Sequence, residues 1–442
     1  MKSIDLRGLK EQRTPEQAEK LARLLVRYKH LFTDNLDLNT GTTAHNTTAT
    51  IYTTEPNPRI TPRPQKCGPE DKQEFLKTIK QKLQEGIIEP SFAPWCSNAL
   101  LVRKDGKVRM VIDYRTLNKA TVKDSYPMPR IQDVTDVLKG AHWFSSADGV
   151  QAFRQIPMAD ERSKDLTTFR GLTGGLYRYR YMTMGLVNAM AIWSRFIDTA
   201  MDGLHDFVLC YADDILIFTK STSIDDHIND LERVFIQLDK YGIKVKASKL
   251  KIGLKEMPFL GVVITEDGIK PNPAKTAAIE KLAYPTSLKE LRSMIGMFAY
   301  YRRFIEKFSE VASPLYEQAK KHTHNPRNAK GIILTEESKA AFDFLKKAIT
   351  QEPVMLHYPN WDIPFEIHTD ASSKAVAAIL CQRIDGKERV IMYASKTLNK
   401  GEEKYHIYEK EGLAVVWAAE IFRKYIRNKR TVVRTDCSAL QC

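Results

Sequence analysis

Residues 209–218, LCYADDILIF, limit the folds open to this chain more than any other stretch, because two adjacent acids interrupt an apolar run. Apolar segments on both sides of a polar pair predict two buried strands joined by a tight turn, with Asp213 and Asp214 at its tip. Neighbouring carboxylates repel each other, so both stay ionised only beside a positive charge, which a divalent metal commonly provides. A simple Asp-Asp turn is the alternative, and a metal site requires a third carboxylate from elsewhere.

Size and composition narrow the class of protein. The 442 residues are enough for about three domains, and the 43% hydrophobic content is that of a globular protein. No apolar run is long enough for a membrane span, and the N-terminus lacks a signal-peptide pattern. The six cysteines are scattered without a C-x-x-C pair, which argues against zinc and a disulfide framework and fits a reducing compartment.

The net charge of +14 points to a polyanionic partner, most often a nucleic acid. A basic surface that only aids solubility is the alternative. Basic residues also stud a predicted helical bundle at 286–320, where a solvated face and a nucleic-acid-facing one stay equally open. These residues are Lys289, Arg292, Arg302, Arg303 and Lys307.

Periodicity and turn signals divide the chain into elements. After residue 363 the pattern reads strand, strand, strand, helix, strand, and the last strand ends on Asp436. A linker is expected at 322–331, and extended proline-rich chain at 56–64. Helices are predicted at 14–32, 69–85, 189–203 and 224–241, and hairpins at 98–113 and 257–270.

Asp148 is the expected third carboxylate. It ends an apolar-aromatic strand, WFSSAD, and a side chain at a strand end can reach a shared metal. Two Mg²⁺ ions can activate an attacking hydroxyl and stabilise a leaving pyrophosphate, chemistry that needs carboxylates from at least two strands.

A series of motifs in fixed order then carries a resemblance. EGIIEPSFAPWCSNALLVRKDGKVRMVIDYRTLNKAT is followed by FSSADGVQAFRQI, MGLVNA, YADD, YGIKVKASKLKIG, FLGVVIT and LRSMIGMFAYYRRFI. From about residue 85 onward the chain resembles the reverse transcriptase–RNase H segment of gypsy-type (Metaviridae) LTR-retrotransposon polyproteins. The resemblance implies an α+β fold: a right-hand polymerase with fingers, palm and thumb, followed by an RNase H-like α/β domain.

The resemblance also implies roles for single residues. Asp148, Asp213 and Asp214 would bind two Mg²⁺ ions, with Mn²⁺ as the alternative, and the backbone carbonyl of Gly149 would help. Phe153 matches the aromatic gate that excludes a ribose 2′-OH; otherwise it reads as a core aromatic. The remaining matches are the triphosphate-gripping cations Lys104 and Arg109, the pyrophosphate-side Lys249, and the primer-holding hairpin residues Phe259, Leu260 and Gly261.

Some residues depart from the family pattern. The family commonly has M-P-F-G-L-x-N-A-P where this chain has MTMGLVNAM, with Thr183, Met184 and Met190 as the differences. The usual L-D-L-x-S-G-Y is here ADGVQAF. The metal ligands are intact, so these departures bear on template contact, nucleotide positioning and fidelity.

A second set of acids falls in the C-terminal pattern. HTDAS, YEKEGLAVVWA and RTDCSAL resemble the RNase H domain of the same family, which implies that Asp370, Glu411 and Asp436 hold a second Mg²⁺ pair for phosphodiester cleavage. Cys437 stands where the family often has His. The domain usually runs further than Cys442, so the expected domain is incomplete at its C-terminus, with an exposed apolar face and uncertain nuclease activity.

The resemblance implies an RNA- and DNA-templated DNA polymerase that extends a primer 3′-OH with dNTPs. Its partners would be RNA/DNA hybrid and DNA duplex, template and a tRNA primer, with a homodimer as an option and no membrane. The location implied is the cytoplasm, within retrotransposon particles, with the nucleus as a second location. The segments expected are an N-terminal helix and lead-in (1–50), fingers and palm (51–270), thumb (271–320), connecting segment (321–362) and RNase H-like domain (363–442).

The sequence leaves two other functions open. The first is a catalytically silent, nucleic-acid-binding subunit of a reverse transcriptase dimer, which the intact acids disfavour and the departures near Thr183 favour. The second is an RNA-only polymerase, which Phe153 disfavours because a ribonucleotide polymerase needs a small residue there.

Overall fold

The computed structural model describes residues 14–36, 47–55, 68–104, 106–127, 137–172, 174–324, 331–351 and 354–440. The chain divides into two compact units. The first contains the described residues up to 127 and those from 142 to 255, and the second contains residues 137–141 and those from 256 onward. The proline-rich stretch 56–64 lies outside the described residues.

The first unit combines helices with three sheets. The helices are α1 (Pro15–Arg27), α2 (Pro69–Gln84), α3 (Arg115–Ala120), α4 (Glu161–Leu166), α5 (Ala189–Ala200) and α6 (Ile224–Lys240). The strands are β1 (Phe32–Thr33), β2 (Ile88–Pro90), β3 (Ser97–Lys104), β4 (Lys107–Asp113), β5 (Trp143–Asp148), β6 (Phe169–Arg170), β7 (Leu176–Tyr179), β8 (Val208–Tyr211), β9 (Asp214–Thr219), β10 (Val245–Lys246) and β11 (Lys251–Leu254).

The sheet that matters for the acids has the strand order β11-β5-β9-β8 and is antiparallel. Ile215, Leu216, Ile217 and Phe218 of β9 are all buried, because β9 is a central strand and helix α6 packs against it. An uninterrupted apolar run is the pattern expected of such a doubly covered strand. The other sheets have the order β2-β7-β6-β3-β4 and the two-stranded pairing β1-β10.

Local signals in the sequence determine where helix α1 begins. The side chain of Thr14 accepts a hydrogen bond from the backbone N–H of Gln17, whose side chain in turn accepts from the N–H of Thr14. Pro15 occupies the first helical position, where its missing N–H costs nothing. The buried stripe of Leu21, Leu24 and Leu25 lies against the core, and the helix contacts α6.

The second unit contains two four-stranded sheets and a set of helices. The helices are α7 (Pro273–Glu280), α8 (Leu288–Tyr300), α9 (Phe308–Val311), α10 (Ser313–His324), α11 (Glu336–Thr350), α12 (Ile407–Ile421) and α13 (Arg423–Ile426). The strands are β12 (Met257–Phe259), β13 (Val262–Ile264), β14 (Gly268–Pro271), β15 (Leu356–His357), β16 (Phe365–Ala371), β17 (Ala375–Ile384), β18 (Lys387–Thr397) and β19 (Thr431–Arg434).

The strand orders of these sheets are β12-β13-β14-β15 and β18-β17-β16-β19. In the latter sheet, β19 pairs in parallel with β16, and the other pairings are antiparallel. Phe365 and Ile367 of β16 form a core with Ala418 and Phe422 on the helical side. The edge strand β19 leaves Val432 and Val433 39% and 44% exposed.

Most predicted elements are confirmed with boundaries shifted by a few residues, including α2, α6 and the hairpin of β3 and β4. The turn predicted at Asp267-Gly268 is confirmed, because β13 and β14 pair antiparallel across it. The hairpin predicted at 257–270 nevertheless differs in its first half, because Leu260 and Gly261, both at positive φ, make an additional turn and a third strand, β12. The linker predicted at 322–331 is wrong at its start, since α10 continues to His324. The final strand ends at Arg434, two residues before Asp436.

None of the helices within the described ranges is long and apolar enough to cross a lipid bilayer.

Candidate active sites

The first site lies where strands β5 and β8 end and strand β9 begins. Asp148 is directly opposite Asp214 in the antiparallel pairing of β5 and β9, and the β8–β9 turn holds Asp213 beside them. The N–H of Gly149 donates to the carbonyl of Asp213 at 2.9 Å, which fixes the turn against the end of β5. The structure therefore brings together the three acids that the sequence predicted for the polymerase site.

A tryptophan braces the turn that presents the acids. Ala212 has a φ of 53°, a backbone conformation that side-chain-bearing residues seldom adopt, and its carbonyl accepts a 2.8 Å hydrogen bond from the indole N–H of Trp193. A Cβ at Gly149 would lie 3.1 Å from the Trp193 ring and 3.3 Å from Ala152. Glycine at 149 therefore lets the turn and the α5 tryptophan approach closely. No sequence signal distinguished Trp193 from other core aromatics.

The three carboxylates affect one another electrostatically. Burial raises the pKa of Asp214 to about 7, helped by a hydrogen bond shared with Asp148 and by the charges of Asp148 and Asp213. Burial and the charge of Asp148 also raise the pKa of Asp213. Such shifts are expected when several acids share one partly desolvated site, and they are relieved when a cation enters.

Lys249 is the cation already at this site. Its ammonium group forms an ion pair with Asp148, and this hydrogen bond raises the lysine pKa. The charge of Lys249 also lowers the pKa values of Asp213 and Asp214. The residue lies on a short 3₁₀ turn, Ala247–Lys249, immediately before β11. The structure thus places Lys249 beside the acids; its predicted role at the pyrophosphate stays a prediction.

The donor set of this site fits a divalent metal. Within the described part of the chain, Oδ1 of Asp213 is a buried oxygen that has no hydrogen-bond donor. An orphaned carboxylate oxygen next to two further carboxylates is costly unless a cation coordinates it. Asp148, Asp213 and Asp214 supply the hard oxygen ligands that Mg²⁺ and Mn²⁺ prefer.

The remaining polymerase candidates of the first unit occupy two places. Phe153 lies in a 3₁₀ turn, Ala152–Gln155, four residues beyond Gly149, and its half-buried ring packs against the core. Arg109 is exposed on β4, opposite Val102 on β3. Lys104 ends β3, and its side chain lies outside the described part.

The primer-holding candidates lie in the second unit, at the β12–β13 turn. Phe259 is buried, and Leu260 and Gly261 both have positive φ. The hydroxyl of Tyr300 on α8 donates to the carbonyl of Leu260, and a Cβ at Gly261 would come within 2.9 Å of that hydroxyl. Glycine is therefore required here both by the backbone conformation and by the tyrosine.

The second site gathers Asp370, Glu411 and Asp436. Asp370 lies on β16, Glu411 on α12, which packs on β16, and Asp436 just beyond β19. Burial raises the pKa of Glu411, and the charges of Asp436 and Asp370 add to this effect. Like Oδ1 of Asp213, Oε2 of Glu411 is a buried carboxylate oxygen that has no hydrogen-bond donor among the described residues. This carboxylate set also fits a divalent cation.

A lysine occupies part of this second site. Lys307, which has a φ of 52° just before α9, forms a 2.7 Å ion pair with Asp370. Arg302 nearby donates to the carbonyl of Ser395 on β18, and Ser309 to the Ser395 hydroxyl. Lys307 and Arg302, which belong to the basic residues predicted to form a solvated or nucleic-acid-facing surface, therefore also bond within the unit. Sequence spacing alone carried no signal for these pairings.

A buried histidine connects the strands beneath the first site. The ring nitrogens of His227 on α6 lie 2.7 Å from Oγ of Ser145 on β5 and 2.8 Å from Oγ1 of Thr219 on β9. Because the Thr219 hydroxyl donates to Asp230 at 2.7 Å, it accepts from Nδ1–H of the ring. The Ser145 oxygen accepts from the N–H of Gly253 on β11 at 2.9 Å. The His227 ring thus contacts β5 and β9 directly and is linked to β11 through Ser145.

Comparisons with known families match two separate parts of the chain. Residues 102–264 match the family model for reverse transcriptase (RNA-dependent DNA polymerase), and residues 334–433 match that for the RNase H-like domain found in reverse transcriptase. The chain is 34% identical over 435 residues to the retrovirus-related Pol polyprotein from transposon 297 of Drosophila melanogaster, covering 96% of this chain and 39% of the relative.

Further relatives are the corresponding polyproteins from Drosophila transposons opus and gypsy. Identity to opus is 36% over 375 residues, which covers 82% of this chain and 37% of the relative. Identity to gypsy is 31% over 366 residues, which covers 80% and 35%. The chain therefore spans well under half the length of these curated relatives.

Solved structures show the same fold. A foamy viral protease-reverse transcriptase (dRH) in complex with double-stranded DNA has a TM-score of 0.79 at 23% identity, covering 97% of this chain and 73% of that one. A foamy viral protease-reverse transcriptase in complex with RNA/DNA hybrid has a TM-score of 0.78 at 22% identity, covering 96% and 56%. The predicted α+β class, a reverse transcriptase palm followed by an RNase H-like domain, is confirmed.

Proposed function

Because the chain belongs to the reverse transcriptase–RNase H segment of gypsy-type LTR-retrotransposon polyproteins, we propose that it is an RNA- and DNA-templated DNA polymerase with an attached RNase H domain. The observation that carries this proposal is the convergence of Asp148, Asp213 and Asp214, with one buried oxygen of Asp213 lacking a donor in the described structure. An ordinary Asp-Asp turn has no need of a third acid from another strand.

Divalent metal ions serve this enzyme class, and here we propose two Mg²⁺, or Mn²⁺, per site, which supply activation of the attacking hydroxyl and charge stabilisation at the phosphate. Asp148, Asp213 and Asp214 would hold them, with the carbonyl of Gly149. Lys249 neutralises part of the acid cluster and would stay close to the departing pyrophosphate. Because the pKa values of Asp213 and Asp214 are raised, these carboxyl groups bind cations best once they are deprotonated. We therefore expect polymerase activity to be highest at neutral and basic pH.

The other candidate residues are proposed to contact the incoming nucleotide and the primer. Phe153 would lie against the sugar of the incoming dNTP and exclude a ribose 2′-OH, while Arg109 and Lys104 on the β3–β4 hairpin would bind its triphosphate. The forked guanidinium of Arg109 suits phosphate oxygens. The β12–β13 turn of Phe259, Leu260 and Gly261, held by Tyr300, would position the primer end.

The second site is proposed to cleave the RNA strand of RNA/DNA hybrids. Asp370, Glu411 and Asp436 would hold a Mg²⁺ pair, and the unpaired buried oxygen of Glu411 supports this assignment. Lys307 must leave Asp370 before that acid can coordinate a cation with both oxygens.

The partners proposed are RNA/DNA hybrid, DNA duplex, dNTPs and a tRNA primer, in a homodimer or a monomer. Five segments are proposed from the sequence: an N-terminal helix and lead-in (1–50), fingers and palm (51–270), thumb (271–320), connecting segment (321–362) and RNase H-like domain (363–442). The proposed location is a cytoplasmic retrotransposon particle, with the nucleus as a later destination.

Primer extension tests the polymerase proposal. An RNA template with an annealed DNA primer, dNTPs and Mg²⁺ should be extended by the chain and not by Asp213→Asn. Retained duplex binding without extension by either protein would instead favour a catalytically silent subunit. RNase H cleavage is tested separately on a labelled hybrid with Glu411→Gln as the matched variant.

A further inference from the structure

Three side chains of different metal-binding chemistry meet on one face of the β16–β17 pair. Glu366 lies directly opposite Cys381 in the antiparallel register, and His368 follows two residues along β16, so it projects from the same face. One ligand atom from each residue lies within 4.8 Å of the other two. The core residues Phe365 and Ile367 project from the opposite face, toward α12.

The two distances from the histidine nitrogen in this cluster are close to those around a tetrahedral ion. Nε2 of His368 lies 3.7 Å from Sγ of Cys381 and 3.6 Å from Oε2 of Glu366. Ligands bonded to zinc at the usual Zn–N, Zn–S and Zn–O lengths are roughly 3.3–3.6 Å apart at tetrahedral angles. His368 is therefore already within a few tenths of an ångström of the spacing that an ion shared with either neighbour requires, and the sulfur and carboxylate lie within 4.8 Å of each other.

Two arginines orient the carboxylate of this cluster, and the thiol stays protonated unless an ion binds it. Arg434 and Arg383 donate to the two oxygens of Glu366 at 2.8 and 3.4 Å. A carboxylate can accept more than two such contacts, so these arginines orient Glu366 as outer partners commonly orient a metal ligand. Burial and the charges of Glu388 and Glu366 raise the pKa of Cys381 to about 12, and a coordinated ion replaces the thiol proton outright.

A fourth donor is close, and the site has an opening. Oε2 of Glu388 on β18 lies 3.9 Å from Nε2 of His368. Cys381 is fully buried, whereas the side chain of His368 is 28% exposed. An ion could therefore enter along the histidine and reach the sulfur behind it.

We propose that Glu366, His368 and Cys381 bind one Zn²⁺ ion, with Glu388 or a water molecule as the fourth ligand. The mixed oxygen, nitrogen and sulfur donors favour Zn²⁺ over Mg²⁺, which prefers oxygen alone. The ion would tie β16 to β17 next to the strand end that carries Asp370. It is separate in chemistry from both carboxylate sites, neither of which contains sulfur.

The competing explanation is a salt bridge without metal. Glu366 ion-paired to Arg383 and Arg434 would then stabilise three strands by itself, with His368 as a further polar neighbour. The sequence itself predicts no zinc site, because it contains no C-x-x-C pair. The structure supplies what that reasoning lacked, because strand pairing joins a Cys to a Glu and His some 13 to 15 positions away in the sequence.

The test is the absorption spectrum of the metal-stripped chain titrated with Co²⁺, a spectroscopic substitute for Zn²⁺. The carboxylate sites also bind Co²⁺, but only a sulfur ligand produces thiolate-to-cobalt charge transfer. We expect one equivalent of Co²⁺ to develop this band and one equivalent of Zn²⁺ to remove it. Cys381→Ser should abolish the band and weaken Zn²⁺ binding, followed by calorimetry, at least tenfold.

Cys96→Ser is the matched control, because Cys96 is buried in the other unit and should leave the band unchanged. His368→Gln, at a partly exposed position, provides a second variant in case Cys381→Ser unfolds, which circular dichroism would reveal. Absence of the charge-transfer band in the wild-type chain overturns the proposal, as does a band that persists in His368→Gln and Cys381→Ser. These outcomes are independent of primer extension.

Discussion

Asp148 and Asp214 lie directly opposite each other on antiparallel strands and share a hydrogen bond. Two carboxyl groups can do so only when a proton or a cation lies between them, so the site is poised between a protonated, metal-free state and a deprotonated, metal-bound one. That relationship gives the proposed polymerase site a pH dependence that an isolated Asp-Asp turn would lack.

Asp214→Asn should stabilise the metal-free chain at basic pH. The folded pKa of Asp214 is about 7 and its unfolded value near 3.8, so its favourable contribution is complete below pH 3.8 and is lost as pH rises through 7. In EDTA at pH 8 we expect the variant to be more stable than wild type by about 1–2 kcal/mol, and the difference to shrink toward pH 5.

Urea unfolding in EDTA at both pH values measures this difference. Asp206→Asn, at an exposed position, is the surface control and should show no such trend. A variant that is equally or less stable than wild type at pH 8 would contradict the account of the acid cluster.

Replacing Phe153 with Ala or Val should admit ribonucleotides. The aromatic ring is proposed to fill the space that a 2′-OH would need, so a smaller side chain should raise rNTP incorporation at least tenfold relative to dNTP incorporation. Single-nucleotide extension with each substrate measures the ratio, and Phe153→Tyr is the conservative control. Unchanged discrimination would mean that Phe153 is only a core aromatic.

Lys307→Ala should strengthen metal binding at the RNase H-like site. The Lys307 ammonium group is paired with Asp370, so a divalent cation must displace it. We expect Mn²⁺ affinity to rise severalfold in calorimetry, carried out with Asp213→Asn and Asp214→Asn to silence the other site. Lys289→Ala, an exposed lysine of the same unit, serves as the control. Weaker Mn²⁺ binding would show that Lys307 supports the site rather than competes.

His227→Ala should destabilise the first unit by about 2–3 kcal/mol, since it removes a buried ring and leaves the Ser145 and Thr219 hydroxyls short of a partner. Because these residues lie on the strands that carry Asp148 and Asp214, extension activity should fall as well. Chemical denaturation is the measurement, and exposed His205→Ala the control. A decrease in the free energy of unfolding of less than about 0.5 kcal/mol would show that the His227 network does not stabilise the fold.

Local signals made much of the fold predictable. The apolar runs around Asp213 and Asp214 predict the hairpin because β9 is buried on both faces, and the Thr14–Gln17 capping box marks the start of α1. In the 257–270 segment the turn at Asp267-Gly268 was predicted correctly, whereas the additional turn at Leu260 and Gly261 was missed because it carries no Asn-Gly or Asp-Gly signal.

The site was predictable where a strand end or a family motif marked it, as at Asp148 and Asp370. Partners that depend on tertiary packing were not. The indole of Trp193 against Ala212, Lys307 on Asp370, and Cys381 beside His368 each join residues whose sequence separation says nothing about contact. Residue type alone could suggest these side chains as functional, but only the tertiary packing of helices and strands brings them within reach.

The most direct test of the central claim is primer extension on an RNA template with dNTPs and Mg²⁺, comparing the wild-type chain with Asp213→Asn. The substitution has nearly the same shape and removes the negative charge of the carboxylate that carries the orphaned oxygen. We expect the wild-type chain to extend the primer and the variant to extend it more than a hundredfold more slowly, with duplex binding retained. Equal extension by the two proteins would contradict the assignment of the 213–214 turn as the catalytic centre.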